Sequence, residues 1–145
     1  MKTLRTAAAL LLALTVVVGI SACASTAGSP TGGTIGASDD YAGLPEGLDG
    51  LPQNPSGDPQ LYWLKNGAQI AITLWGSSTC PPIVESLTPT SANAFTAVQA
   101  PLPAKPCTRD LVPHTTVFKT PSDTTTSSDV TIVLDGTSLT LPGRS

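Results

Sequence analysis

Basic side chains are few: the chain has seven Lys and Arg against ten Asp and Glu, and charged residues of both signs make up only 12% of it. Nucleic-acid binding needs clustered Lys and Arg to neutralise phosphates, so this balance excludes it. Histidine occurs once, at His114, and cysteine three times. Structural zinc sites take four Cys or His ligands and catalytic ones three protein ligands, so no metal centre is expected unless carboxylates supply it. No G-x-S-x-G elbow occurs and no cofactor motif stands out, so no cofactor is expected. Long apolar runs are also missing. The longest, Ala7 to Ile20, has fourteen residues broken only by Thr15 and Gly19, against the roughly 20 that a membrane-crossing helix requires.

That short run has another use. Lys2 and Arg5 precede it as a basic segment, and small residues follow it, the order of an export signal with a 7–15 residue apolar region. The run closes on Ile20-Ser21-Ala22-Cys23. These four residues resemble the lipobox of bacterial lipoproteins. The resemblance implies cleavage after Ala22 and a diacylglyceryl group on the Cys23 thiol. Residues 1–22 would then be a signal peptide, and acylated Cys23 would hold the protein in the lipid bilayer, facing the extracytoplasmic side of the cell membrane. Two buried acyl chains suffice for stable anchoring at about 0.8 kcal/mol per buried CH₂. With the signal removed, five basic side chains remain against ten acidic ones, so lipid, and not charge, would do the holding.

Residues 23–60 read as a linker. They contain eight Gly, five Pro and seven Ser or Thr, no Lys or Arg, and the acidic Asp39, Asp40, Glu46, Asp49 and Asp58. Such a composition buries too little apolar surface to offset chain ordering, so a disordered tether is expected. Within it, "AGLPEGLDGLP" repeats Gly-Leu three times, either as a spacer or as a docking motif for a partner.

Residues 61–145 read as one all-β domain. In "LYWLKNGAQIAITLW", Asn66-Gly67 separates two β-rich runs, the strongest short-range signal for a type I′ hairpin. Pairing outward sets Trp63 opposite Ile70 and Leu61 opposite Ile72, so Leu61, Trp63, Ile70, Ile72 and Leu74 share an apolar face. "DVTIVLDGTSLTLP" repeats the device at Asp135-Gly136, with Val130, Ile132, Leu134, Leu139 and Leu141 on one side. Weaker strands are expected at 83–87, 94–99 and 115–119, and "PSDTTTSSD" at 121–129 as an exposed loop. About seven short strands at regular turn spacing predict an Ig-like β-sandwich, with a small barrel as the alternative.

Cys80 and Cys107 remain once lipid takes Cys23. In an exported domain they are expected to form a disulfide, the help that a small core needs. Each stands beside proline, in "SSTCPPIV" and "AKPCTRDL". The stretch from Trp63 to Pro142, with its Ser/Thr-Cys-Pro segment, its second Cys followed closely by Asp, and a terminal hairpin ending in Leu-Pro, resembles small lipoproteins and secreted proteins of actinobacteria; that resemblance implies no activity.

Two kinds of function remain open. A non-catalytic envelope module would bind an envelope protein or glycan through exposed aromatics and arginine, with Tyr62, Trp75 and Arg109 as the candidate surface. A small hydrolase would use His114, for instance with Asp110 and one of many serines. No catalytic residue is assigned on sequence grounds, because triads are recognised by geometry. Asp110, next to Arg109, is expected to form a local ion pair. The two readings separate on whether His114 meets both a carboxylate and a hydroxyl in a cleft.

Overall fold

A computed structural model of the chain describes residues 32–46, 48 and 56–145. The expected signal segment 1–22, Cys23 and the first part of the expected linker lie outside the described residues, as do the Gly-Leu repeat at 47–48 in part and the one at 50–51 wholly.

Among the described residues, nine strands form two facing sheets. In chain order they are β1 (Ile35–Gly36), β2 (Asp39–Ala42), β3 (Gln60–Leu64), β4 (Gln69–Gly76), β5 (Val84–Ser91), β6 (Ala94–Gln99), β7 (Val112–Lys119), β8 (Val130–Leu134) and β9 (Thr137–Leu141). One sheet has the order β1-β5-β6-β8-β9 and the other β2-β7-β4-β3. Every pairing is antiparallel except β6 with β8. The architecture is the expected all-β sandwich; the two sheets do not close into a barrel.

Both hairpins have the expected register. Leu61 pairs with Ile72 and Trp63 with Ile70, while Val130 pairs with Leu141 and Ile132 with Leu139. The turns need left-handed backbone, which Asn, Asp and Gly adopt at little cost. Asn66 has φ 56° and Gly67 φ 86°; Asp135 has φ 48° and Gly136 φ 82°. Lys65 joins them at φ 47°, so the first turn begins one residue earlier than the dipeptide alone suggests.

The core lies between the sheets. Ile70, Ile72 and Leu74 of β4 and Phe118 of β7 meet Val84, Leu87, Phe95, Ala97, Val130, Ile132, Leu134 and Leu141 from the other sheet, with Ile35, Leu61, Trp63 and Leu139 packed at the margin. The period-two spacing of these side chains is the physical cause of the two-sheet arrangement, since each sheet has one face to hide. The β3 and β9 edges meet along one side, where the Trp63 indole N–H donates to the Pro142 carbonyl at 2.8 Å.

The expected boundary at Leu61 is corrected by β1 and β2. Residues 35–42 are not a tether: the chain adds a strand to one sheet, crosses over, and adds another to the opposite sheet. The segment was unreadable as strand because backbone pairing, and not an apolar pattern, holds it. Ser38 donates both its N–H (2.8 Å) and its hydroxyl (3.0 Å) to the Val117 carbonyl. Asp39 to Ala42 then pair with Val117 to His114. Short strands bearing Asp39 and Asp40 also make poor templates for edge-to-edge aggregation.

The outer face of the second sheet is buried as well. Ala71, Thr73, Thr115 and Val117 are each at most 3% exposed. Thr73 and Thr115, paired across β4 and β7, share a hydrogen bond of 2.8 Å, and the Thr115 hydroxyl donates to the Gly43 carbonyl at 2.7 Å. Pro45 is fully buried, so described residues just beyond β2 serve as a partial third layer. The 121–129 loop is largely exposed, as expected, and is also tied down. The Asn93 amide donates to the carbonyls of Thr125 (2.9 Å) and Asp129 (3.1 Å) and accepts from the Thr125 N–H (2.9 Å). Gly143 is required beside it, because a Cβ there would sit 2.4 Å from the Ser127 carbonyl oxygen.

A chain beginning at Leu61 should therefore be less stable than one beginning at Gly32. The loss of β2 removes several net hydrogen bonds at about 0.5–1.5 kcal/mol each, so a deficit of at least about 3 kcal/mol is expected from urea unfolding. Equal midpoints for the two chains would show that β1 and β2 contribute nothing.

Candidate functional site

Two proline-flanked segments meet at one end of the sandwich. β4 ends at Gly76, where Pro82 approaches so closely that a Cβ on Gly76 would lie 2.7 Å from its Cδ. This packing folds "SSTCPP" into a tight corner after the strand. Facing it is the long connection from β6 to β7, in which every residue from Pro101 to Leu111 is exposed. The two are joined by the Cys80–Cys107 disulfide, with Cα atoms 5.6 Å apart, as expected from the sequence. Its halves differ: Cys80 is 2% exposed, while Cys107 lies in the open.

Hydroxyl groups extend the bridge on both sides. The Thr108 hydroxyl lies 2.8 Å from that of Ser77 and 3.2 Å from that of Ser78. The Thr108 N–H donates to the Thr79 hydroxyl at 3.0 Å. Asp110 accepts from the Ser78 N–H at 3.1 Å and from the Thr108 hydroxyl. Hydrogen bonds from the Ser78 and Thr108 hydroxyls and the Ser78 N–H favour the carboxylate and hold the Asp110 carboxyl down at about 2, from an ordinary 3.8. The expected Arg109–Asp110 ion pair is thus absent: Asp110 turns back to Ser78 and Thr108. Among the described residues, no acidic side chain pairs with Arg109 or Lys105.

The loop that this clamp holds is apolar as well as basic. The exposed large hydrophobic side chains among the described residues are Val98 at 47%, Leu102 at 59% and Leu111 at 52%, all within 98–111. Nothing in the loop's sequence marked these leucines as special; the signal was the second cysteine in a proline-rich stretch that alternates with neither strand nor helix period.

The other candidate residues separate. Arg109 is exposed on the loop. Tyr62 and Trp75, expected to be exposed, are instead half-buried on the outer face of the second sheet, and their hydroxyl and indole N–H are buried without a hydrogen-bond partner among the described residues. Burial pushes the Tyr62 phenol up. Trp75 lies close to the loop's end, since both it and Leu111 approach Gly57; Tyr62 lies further along the sheet, opposite Ala71.

His114 is on the inner face of β7, paired with Leu74 and 7% exposed. Its Nε2 lies 3.1 Å from Oδ2 of Asp40, brought there by β2; the carboxylate it meets is not that of Asp110. It meets a carboxylate, but no hydroxyl among the described residues bonds to it. No three His, Cys, Asp or Glu side chains converge as a metal site among the described residues. An open groove of about 540 Å³ lies at the opposite end, lined by Gly32, Gly33, Ile35, Pro89 and residues 119–123, and does not include His114. No family model, curated protein or solved structure matches the chain.

Two outcomes follow for the clamp. The bridge joins residues 27 apart, so Cys107→Ser should lower stability by about 3.5 kcal/mol on the chain-entropy argument. An unchanged urea midpoint would show that the bridge does not constrain the unfolded chain. For Asp110 the folded value is depressed, so its contribution is present above the ordinary 3.8 and is lost as pH falls through about 2. The Ser78 amide resonance should titrate with a midpoint near the lower value, and a midpoint near the upper one would mean that the clamp does not form.

Proposed function

We propose that the chain is a lipid-anchored extracytoplasmic lipoprotein whose β-sandwich is a non-catalytic binding or accessory module of the cell envelope. The observation that carries the binding half is the loop after β6, residues 100–111. A disulfide in a small domain ordinarily helps the core. Here one of its halves holds a loop whose residues 101–111 are all exposed and which displays Leu102, Leu111, Lys105 and Arg109. Ordering such a loop in advance reduces the entropy lost when it meets a partner, and exposed apolar and Arg side chains favour interfaces.

The anchoring half rests on Cys23 and the residues before it, together with the disulfide, which suits an oxidising compartment. The hydrolase reading is weaker. It has the His114–Asp40 contact in its favour, but the ring is buried beside Leu74 and lacks a nucleophile.

Cys23→Ser in the full chain tests the anchor. The variant should leave the membrane fraction or accumulate as unprocessed precursor, because no other cysteine stands at the signal's end. Equal retention of variant and wild type after a high-salt wash would contradict it.

A further inference from the structure

The register fixes which end of the sandwich the loop occupies. β5 begins at Val84, paired with Gln99 at the start of the loop, and continues to Ser91. β1 pairs with β5 at Leu87 and Ser86, running back from Gly32, which lies against Pro89. β7 leaves the loop at Val112 and ends at Lys119, beside the groove that Gly32 and Gly33 line. The described chain therefore starts at one end of the sandwich and the loop projects from the other. The two are separated by the eight residues of β7, about 25 Å of strand.

Under the anchoring read above, this polarity has a consequence. The stretch from Cys23 to Gly32 reaches at most about 30 Å even when fully extended. It would keep the Gly32 end within that distance of the lipid and leave the loop, at the far end of the sandwich, able to face away from it. An acidic chain gains little from an anionic surface, and two cations contribute only about 1 kcal/mol each there. A glycan platform would want exposed aromatic faces, and Tyr62 and Trp75 are half-buried instead. What the loop offers is a pair of exposed leucines and two cations with no acidic partner among the described residues, while its single carboxylate, Asp110, is engaged by Ser78 and Thr108.

We infer that residues 98–111 are a docking element that inserts Leu102 and Leu111 into an apolar pocket on a partner protein, with Lys105 and Arg109 meeting carboxylates on the pocket's rim. Apolar anchors supply the affinity, and the cations steer and orient the encounter. The inference rests on the binding-module reading and goes further by naming the element and the partner's chemistry.

Photo-crosslinking tests it in cells that make the full chain naturally, with Leu102→benzoylphenylalanine as the probe and Thr140→benzoylphenylalanine, on the exposed face of β9, as the comparison. The expected result is a discrete protein adduct from position 102 and none from position 140. Adding Lys105→Glu and Arg109→Glu should reduce that adduct about tenfold or more. Membrane retention and melting temperature, read alongside, should stay unchanged because all three side chains are exposed. An adduct that ignores the charge reversal, one formed only with lipid, or one formed only with a second copy of the chain would overturn the inference. An adduct from position 140 alone would overturn it while leaving the binding module intact. Adducts from neither position would overturn both, and the Cys23 result would still decide the anchor separately.

Discussion

One bond joins the part of this molecule that folds to the part that is displayed. Cys80 is buried against the end of the sandwich and Cys107 is in the open, so the bridge transmits the rigidity of a packed core to a loop without a core of its own. The hydroxyls of Ser77, Ser78, Thr79 and Thr108 and the Asp110 carboxylate then fix the direction in which that loop leaves the bridge. In water such exposed hydrogen bonds contribute little each. Next to a covalent tie they act on a chain whose entropy is already largely removed, so modest bonds suffice to choose one conformation.

The sandwich provides the fixed end. Its aliphatic inner faces interlock, one side is closed where Trp63 bonds to the chain beyond β9, and the other is closed by the crossing from β1 to β2. Among the described residues, with edges closed or kept short, the long β6–β7 connection projects from the sandwich. The opposite end is tied by Asn93, Gly143 and the 121–129 segment, so the molecule is firm there and presents exposed large apolar side chains at the other end.

The two hairpins were legible because their signals are local: a dipeptide that accepts left-handed backbone, flanked by residues with period two. The disulfide was legible by subtraction among three cysteines. β1 and β2 were not, because an acidic, Gly-rich segment carries no apolar alternation and becomes strand only when β5 and β7 offer unpaired backbone. The parallel pairing of β6 with β8 depends on the whole sheet order. The Asp110 contacts were hidden for a similar reason. Adjacent Arg109 and Asp110 suggested a local pair, whereas the partners that won, Ser78 and Thr108, include one some thirty residues away in sequence. Tyr62 and Trp75 were misread as surface because a sheet's second face is ordinarily wet, and here residues near Gly43 and Pro45 cover part of it.

The central claim is that the disulfide orders a displayed loop more than it holds the core. Amide hydrogen exchange on the folded chain, before and after reduction of Cys80–Cys107, tests this most directly. Protection should be lost at residues 77–80 and 100–111, while β4, β7 and β8 remain folded and lose no more protection than the fall in global stability accounts for. Loss of protection spread across both sheets, or none at the loop, would contradict the account.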